Sequence, residues 1–492
     1  MDDLHLVGVL LSTNKVRVSV YDIEGVLLRS GVAEISEQTT SEWERALREA
    51  TPGLADTAIC SVAGTSGTVV LANRYGEPVF PPQMYYESSP EWARELQSTV
   101  GEDGDQQWDI ALSPTAPLPK IAELKEEHPT RFENVEWILS PATWLLYRLC
   151  HGYSEPWRDI ETDWTNALKF GADIRPSMPR WYDELFNCID ISKSLLPTIR
   201  PPGSFVSVGS GELASRSGFE GLRLFQGMTD GEAYVLANDC IEPGDFSVTF
   251  GETSVVKYVS ESIKPNESLY YHRHPVEGYL PGASFDSGNV LQWFSEHVLN
   301  RDVERSLEIA SSVRPGEEAH VYLPGNRGPF HDPDFGLSIF GLDYDMSLSE
   351  EEIQGRLAGG IATGIILAEG GYLSLVEDHF GTEIDDVRVM NTGGSSLDNY
   401  EWNRMRSSIW NRQVTEMEAR TTAGLLIPAA LITSVYDDIN EATVALLREQ
   451  ARVDPDPEVH SEFEHMEEGF FDQWKRIATF YEDKSVDEGV FE

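Results

Sequence analysis

Positive charge is what this chain lacks most. Its 492 residues hold 83 Asp and Glu against 37 Lys and Arg, a formal net charge of -46, and only nine of the cations are lysine. In dilute salt so much like charge repels itself and weakens the compact state. Salt at about 1 M shortens the screening length to about 3 Å and removes most of that penalty between exposed groups. The balance reads as adaptation to a salt-rich cytoplasm. It also excludes a duplex-binding surface, since no basic run exists to form one. A free nucleotide held through backbone amides and a metal stays open.

Cysteine is sparse as well. Cys60, Cys150, Cys188 and Cys240 lie far apart without metal-ligand spacing, and read as small buried hydrophobes in a reducing compartment. The opening MDDLHLVGVLL lacks the positive flank and long apolar stretch of a signal peptide, so it is expected to be a first strand. No apolar run is expected to span a membrane, GLLIPAALITSVY being too short.

Apolar residues make up 40% of the chain, and its length allows two or three domains with sizeable cores. Residues 4–22 read as two strands around a Ser-Thr-Asn turn, the second alternating with period two. A helix is expected after Ser41, with Trp43 and Leu47 on its buried face. A second strand pair, GDFSVTFGETSVVKYVS over residues 244–260, repeats the plan of the first: apolar strand, small or hydroxyl turn, apolar strand. Two such hairpins suggest a duplicated α/β fold gripping a phosphate tail between lobes. We expect one lobe over residues 1–243, a second over 244–440 and an acidic helical extension over 441–492. Helices are expected near 399–410 and 421–435.

Phosphoryl transfer to an alcohol needs a phosphate clamp, a divalent metal and a group that positions or deprotonates the hydroxyl. Asp230, in GMTDGEAYVLANDC, stands where a helix begins and is the candidate base; the same placement suits a plain N-cap. Ser12-Thr13-Asn14 and Gly251-Glu252-Thr253-Ser254 are candidate phosphate turns, as is NTGGSS over residues 391–396. Asp163 and Glu87, polar residues beside aromatics, suit sugar hydroxyls or helix caps. Arg327 reads as a loop brace or a partner for an acid. His272 and His274 resemble a metal pair without a further ligand, and a surface strand is the expectation.

Together GMTDGEAYVLANDCIEPGDFSVTFGETSVVK, GTSGTVVLANRYGEPVFPPQMYYES, TDWTNALKFG, PGASFDSGNVLQWF and PGNRGPFHDPD resemble the FGGY carbohydrate kinases over almost the whole chain. The D-ribulose and xylulose kinase branches look most similar, and glycerol kinase fits less well. The resemblance implies a duplicated actin-like (ribonuclease H-like) fold with two lobes and a central cleft. It also implies transfer of the ATP γ-phosphate, with Mg2+, to a small sugar such as D-xylulose or D-ribulose, with Asp230 as general base. By the same resemblance Ser66, Thr68, Glu87 and Asp163 fall near the sugar. Thr13, Thr253, Gly393, Gly394 and Ser395 fall near ATP. A homodimer is the expected assembly.

The departures from that pattern are specific. Leu10 stands where the family carries an aspartate contributing to the metal environment, and Ser12 replaces a glycine. Glu252 replaces a threonine in the second hairpin, Ser89 a substrate-side arginine, and Gly424-Leu425-Leu426 a Gly-Ala-Ala run. Glu252 is expected to restore from the opposite lobe the charge that Leu10 removes. The alternatives are a sugar- or nucleotide-binding sensor with little turnover, or a kinase for another polyol or sugar acid. The acidity alone predicts that the thermal unfolding midpoint rises when KCl is increased from about 0.1 M to about 1 M and beyond. A flat or falling midpoint in scanning calorimetry contradicts the salt-adapted reading.

Overall fold

The computed structural model describes residues 4–55, 58–100, 109–266, 268–313, 316–323, 336–342, 345–392 and 399–463, with parts of 470–479. The first lobe is built on β1 (His5–Leu11), β2 (Lys15–Tyr21), β3 (Leu27–Glu34), β4 (Ala58–Gly64), β5 (Phe205–Val208) and β6 (Arg223–Thr229). They lie in the order β5-β6-β4-β1-β2-β3, with β1 antiparallel to β2 and parallel to β4. The second is built on β7 (Phe246–Phe250), β8 (Thr253–Tyr258), β9 (Tyr270–Arg273), β10 (Tyr279–Asp286), β11 (Asp386–Asn391), β12 (Gln413–Met417) and β13 (Glu449–Val453). Their order is β9-β10-β8-β7-β11-β12-β13.

Within each sheet, three strands joined by antiparallel pairing are followed by two parallel ones: β3-β2-β1-β4-β6 in the first, β10-β8-β7-β11-β12 in the second. This is the duplication expected from the paired hairpins, in the actin-like plan that the family resemblance implies. β1 shows how the alternation works. Val7, Val9 and Leu11 join the core under α1 (Thr40–Ala50), while Leu6 and Leu10 join the apolar cluster on the opposite face.

The helices that position the cleft are α2 (Pro117–Glu127), α3 (Pro141–Cys150), α4 (Trp164–Lys169), α5 (Asp230–Ala237), α6 (Glu350–Phe380), α7 (Asn399–Trp410), α8 (Thr421–Gly424), α9 (Ile427–Ile432) and α10 (Ile439–Leu446). Thr39, not Ser41, caps α1, its hydroxyl accepting from Glu42 N at 3.2 Å. The apolar run from Thr421 breaks into α8 and α9, because Pro428 lacks the N–H that a continuous helix needs there. The expected extension after residue 441 begins inside α10 and supplies β13, the edge of the second sheet. Cys188 is exposed, unlike the other three cysteines, because its short helix ends at the surface.

Among the described residues one helix, α6, is long and apolar enough to cross a membrane, where no run of that length was expected. Its apolar window is 83% buried inside the second lobe. Ser349 and Glu352 form a capping box at its start, and Gly381 ends it in the left-handed conformation. At Gly364 the helix passes so close to the strand at Val321 that a Cβ would stand 2.2 Å from the Val321 carbonyl oxygen.

From this helix Glu369 meets Arg406 of α7 in a fully buried bidentate pair, at 2.7 and 2.8 Å. Arg406 also donates to Asn391 Oδ1 at 2.8 Å, and Glu369 accepts from Ser254 Oγ at 2.7 Å. The pair therefore ties the start of β8 to the end of β11. Removing one partner of a buried pair strands the other charge. Arg406→Met is expected to lower unfolding stability by about 3–5 kcal/mol, measured by urea denaturation; a loss below about 1 kcal/mol contradicts the organising role.

Candidate active site

The site is built where β6 hands over to α5. Thr229 caps the helix, its hydroxyl facing Glu232 N at 3.5 Å, and its own N–H donates to Thr165 Oγ1 at 2.9 Å. Asp230 is therefore the first helical residue and not the cap, which frees its carboxylate. Its Oδ1 accepts from Gly231 N at 2.9 Å and from Ser66 N at 3.3 Å. Burial, and then the neighbouring Glu232 carboxylate, push Asp230 up to about 6, against the pull of the Gly231 and Ser66 amides and the Lys169 ammonium. A carboxylate held there is ionised at neutral pH and still basic enough to take a proton.

Ser66 opens the turn that follows β4. Thr68 is fully buried and structural: it accepts from Thr65 Oγ1 at 2.9 Å and from Tyr85 N at 3.2 Å. The Tyr85 hydroxyl in turn accepts from Thr13 Oγ1 at 3.3 Å, linking this turn to the first hairpin. Lys120 of α2 clips the turn to the next loop, donating to Gly67 O at 3.1 Å and Met84 O at 2.8 Å. Burial pushes Lys120 down to about 8, with Glu87 opposing and Lys169 adding to the fall. Glu87 itself is exposed on the rim and accepts from Met84 N. Lys169 Nζ lies against the same turn, 3.8 Å from where a Cβ on Gly67 would stand.

Asp163 is buried and wholly engaged as the cap of α4. Its oxygens accept from Thr165 N at 2.9 Å, Asn166 N at 3.0 Å and Asn166 Nδ2 at 2.6 Å. The helix it starts delivers Lys169 to the site, so Asp163 acts through the element it caps. Lys120, Tyr85 and Lys169 were missed by sequence reasoning. The signal available was the rarity of lysine: in a chain with nine, a lysine amid apolar residues marks a place that needs a cation.

On the phosphate side the two hairpin turns carry Thr13 and Thr253, both partly exposed. The second turn is tight, with Gly251 N donating to Thr253 O at 3.0 Å. Behind it Asn289 N donates to Glu252 O at 3.0 Å, and Gly288 approaches so closely that a Cβ would stand 2.1 Å from Gly251 O. Thr392 donates twice to Phe250 O, from N at 2.7 Å and Oγ1 at 3.0 Å. Gly393, Gly394, Ser395 and Arg327 lie outside the described residues. The amides and hydroxyls of these turns fit a polyphosphate. Among the described residues no group of three or more His, Cys, Asp or Glu is placed to hold a metal.

Leu10 is buried in an apolar cluster with Met228, Ala233 and Leu425, and the Glu252 side chain is exposed. His272 and His274 do not form a surface strand: both are buried on the second sheet where it meets α4 and α5. Their backbones pair or turn against neighbouring strands, and Trp164 Nε1 donates to His274 O at 3.2 Å across the junction.

Residues 13–236 match the N-terminal domain of the FGGY family of carbohydrate kinases. The chain is 22% identical over 396 residues to a gluconokinase of Bacillus subtilis, covering 76% of this chain and 73% of that one. A gluconate kinase of Lactobacillus acidophilus superposes with a TM-score of 0.81 at 17% identity, over 98% of this chain and 99% of the other. A xylulose kinase of Rhodospirillum rubrum does so with 0.82 at 16%, over 97% and 100%.

Charging a half-buried carboxylate works against the fold, and the sign follows from Asp230. Its folded value near 6 lies above the unfolded value of about 3.9, so the stability it contributes is present at acid pH and lost as pH rises through 6. Asp230→Asn does not titrate. It is expected to be more stable than the native chain at pH 8, by on the order of 2 kcal/mol, with the gain shrinking below about pH 6. Equal or lower stability at pH 8 in denaturant titrations contradicts this.

Proposed function

We propose, from the match of residues 13–236 to the N-terminal domain of the FGGY carbohydrate kinases, that the chain transfers the γ-phosphoryl group of ATP to a hydroxyl of a small sugar. The preferred acceptor in this reading is a pentulose, D-xylulose or D-ribulose. The observation that carries it is the Asp230 carboxylate, freed from capping by Thr229, raised toward neutrality, and hydrogen-bonded to the Ser66 turn that faces the cleft.

In this reading Asp230 accepts the proton of the attacking hydroxyl, whose oxygen forms the new bond to the γ-phosphorus while ADP leaves. The Ser66–Gly67 turn, held by Lys120, orients the sugar. The Thr13 and Thr253 turns hold the phosphates, with the network behind Ser254 fixing the second of them. Mg2+, bound with the nucleotide, would neutralise charge on the phosphates. Closing the lobes would exclude water from the transfer. The acidity of the chain fits the salt-rich cytoplasm expected from its sequence.

A sugar acid is a second reading, favoured by the Lys169 ammonium lying against the acceptor turn, where it would neutralise a substrate carboxylate. The test is ATP-dependent phosphate transfer in molar KCl with Mg2+, against D-xylulose, D-ribulose, L-ribulose, glycerol and gluconate. We expect turnover of a pentulose, reduced about 10²–10⁴-fold by Asp230→Asn. Turnover of gluconate alone selects the second reading. A folded protein that binds ATP or a sugar but turns over none replaces both with a sensor, and Leu10 becomes its reason.

A further inference from the structure

Three buried polar groups beside Asp230 take no part in the transfer described above. Glu232, on the first turn of α5, is 1% exposed; its Oε1 accepts from His272 Nδ1, and its Oε2 has no partner. His272, on β9, has an unpartnered Nε2. Lys257, on β8, is 3% exposed, with Nζ lacking a hydrogen-bond partner and lying 4.3 Å over the centroid of the Tyr270 ring. An acid carried by the helix of Asp230 thus faces an imidazole and an ammonium carried by the second sheet. Buried polar atoms left without partners weaken a fold, and such costs are kept where a site uses them.

The protonation states follow from the arrangement. Burial raises the Glu232 carboxyl, but His272, Lys257 and Lys169 together bring it below the usual carboxylate value. Burial, then Lys257, hold His272 down to about 4 against the pull of Glu232, so the imidazole is neutral and donates from Nδ1. Burial pushes Lys257 down to about 7, with Glu232 opposing and Lys169 assisting. Glu232 is therefore already charged where Asp230 titrates. The other groups facing the pair are Lys169 of α4, which acts on both acids, Tyr234, whose phenol is raised by burial and by Asp230, and His274, which feels Glu232.

We propose that Glu232 is a positioning residue for Asp230: clamped across the lobe junction by His272 and Lys257, it fixes the first turn of α5 and sets the basicity of the carboxylate two residues ahead. The inference rests on the transfer reading. A negative charge at Glu232 disfavours the ionised form of Asp230, so removing it makes Asp230 a weaker base that is deprotonated at lower pH.

The test is the pH dependence of kcat/KM in molar KCl, with the acceptor that the native enzyme turns over, for Glu232→Gln, Glu232→Asp and Lys257→Met. Glu232→Gln is expected to move the acid limb down by about half a pH unit or more and to lower kcat several-fold, with KM within about twofold. Glu232→Asp, which keeps the charge, holds the limb at its native position. Lys257→Met removes the counter-cation, lets Glu232 take a proton, and moves the limb in the same direction as Glu232→Gln. An unmoved limb in active Glu232→Gln, or in Lys257→Met should the first variant not fold, overturns the inference and leaves the transfer reading standing. A native enzyme that turns over no acceptor overturns both.

Discussion

The cleft depends on how one short helix, α5, is docked with its first turn buried between the lobes. Thr229 binds the Thr165 hydroxyl, Asp230 takes the Ser66 amide, and Glu232 takes the His272 imidazole. At its other end Gly424 of α8 lies so close that a Cβ would stand 2.6 Å from Ala237 N. The helix is thus held by both lobes. Two carboxylates only two residues apart are thereby drawn from water, Glu232 fully and Asp230 in part, which is costly for both without compensation. The His272 hydrogen bond and the Lys257 and Lys169 charges compensate Glu232 more fully than two amides and Lys169 compensate Asp230, and that inequality separates the two acids into one held charged and one poised to exchange a proton.

On the phosphate side the counterpart is the Glu369–Arg406 pair. It acts at a distance from the phosphates, through Ser254 at the start of β8 and Asn391 at the end of β11. The turns that follow these residues inherit their positions from a pair with no exposed surface. The contrast with the exterior is physical. Outside, some acids pair with arginine, but acids so outnumber cations that much of the charge is left for salt to screen; inside, the ionised groups of the cleft are matched or their ionisation is shifted. Lysine follows the same division, scarce in the chain as a whole but present as Lys120, Lys169 and Lys257 around the acceptor turn and the junction.

Much of this was legible in the sequence because it rests on local pattern. The paired hairpins gave away the duplication: period-two alternation around small turns leaves few other arrangements. Asp230 stood out as an acid where a strand ends and a helix starts. What was not legible depended on contacts distant in sequence. Asp163 reads equally as a sugar ligand or a helix cap, and only the structure chooses the cap, with both of its oxygens committed to Thr165 and Asn166. His272 and His274 sit in an alternating polar segment that reads as a surface strand, and only the approach of α4 and α5 from the other lobe buries them. The apolar pattern over residues 356–381, by contrast, reads from sequence as one long helix whose glycines indicate close packing, and α6 bears this out where Gly364 meets Val321.

The most direct measurement is a crystal structure of the protein with a non-hydrolysable ATP analogue, Mg2+ and its acceptor. The account predicts the acceptor hydroxyl within about 3 Å of an Asp230 carboxylate oxygen and facing the γ-phosphate. An acceptor whose hydroxyls all point away from Asp230, with the nucleotide in place, would contradict it.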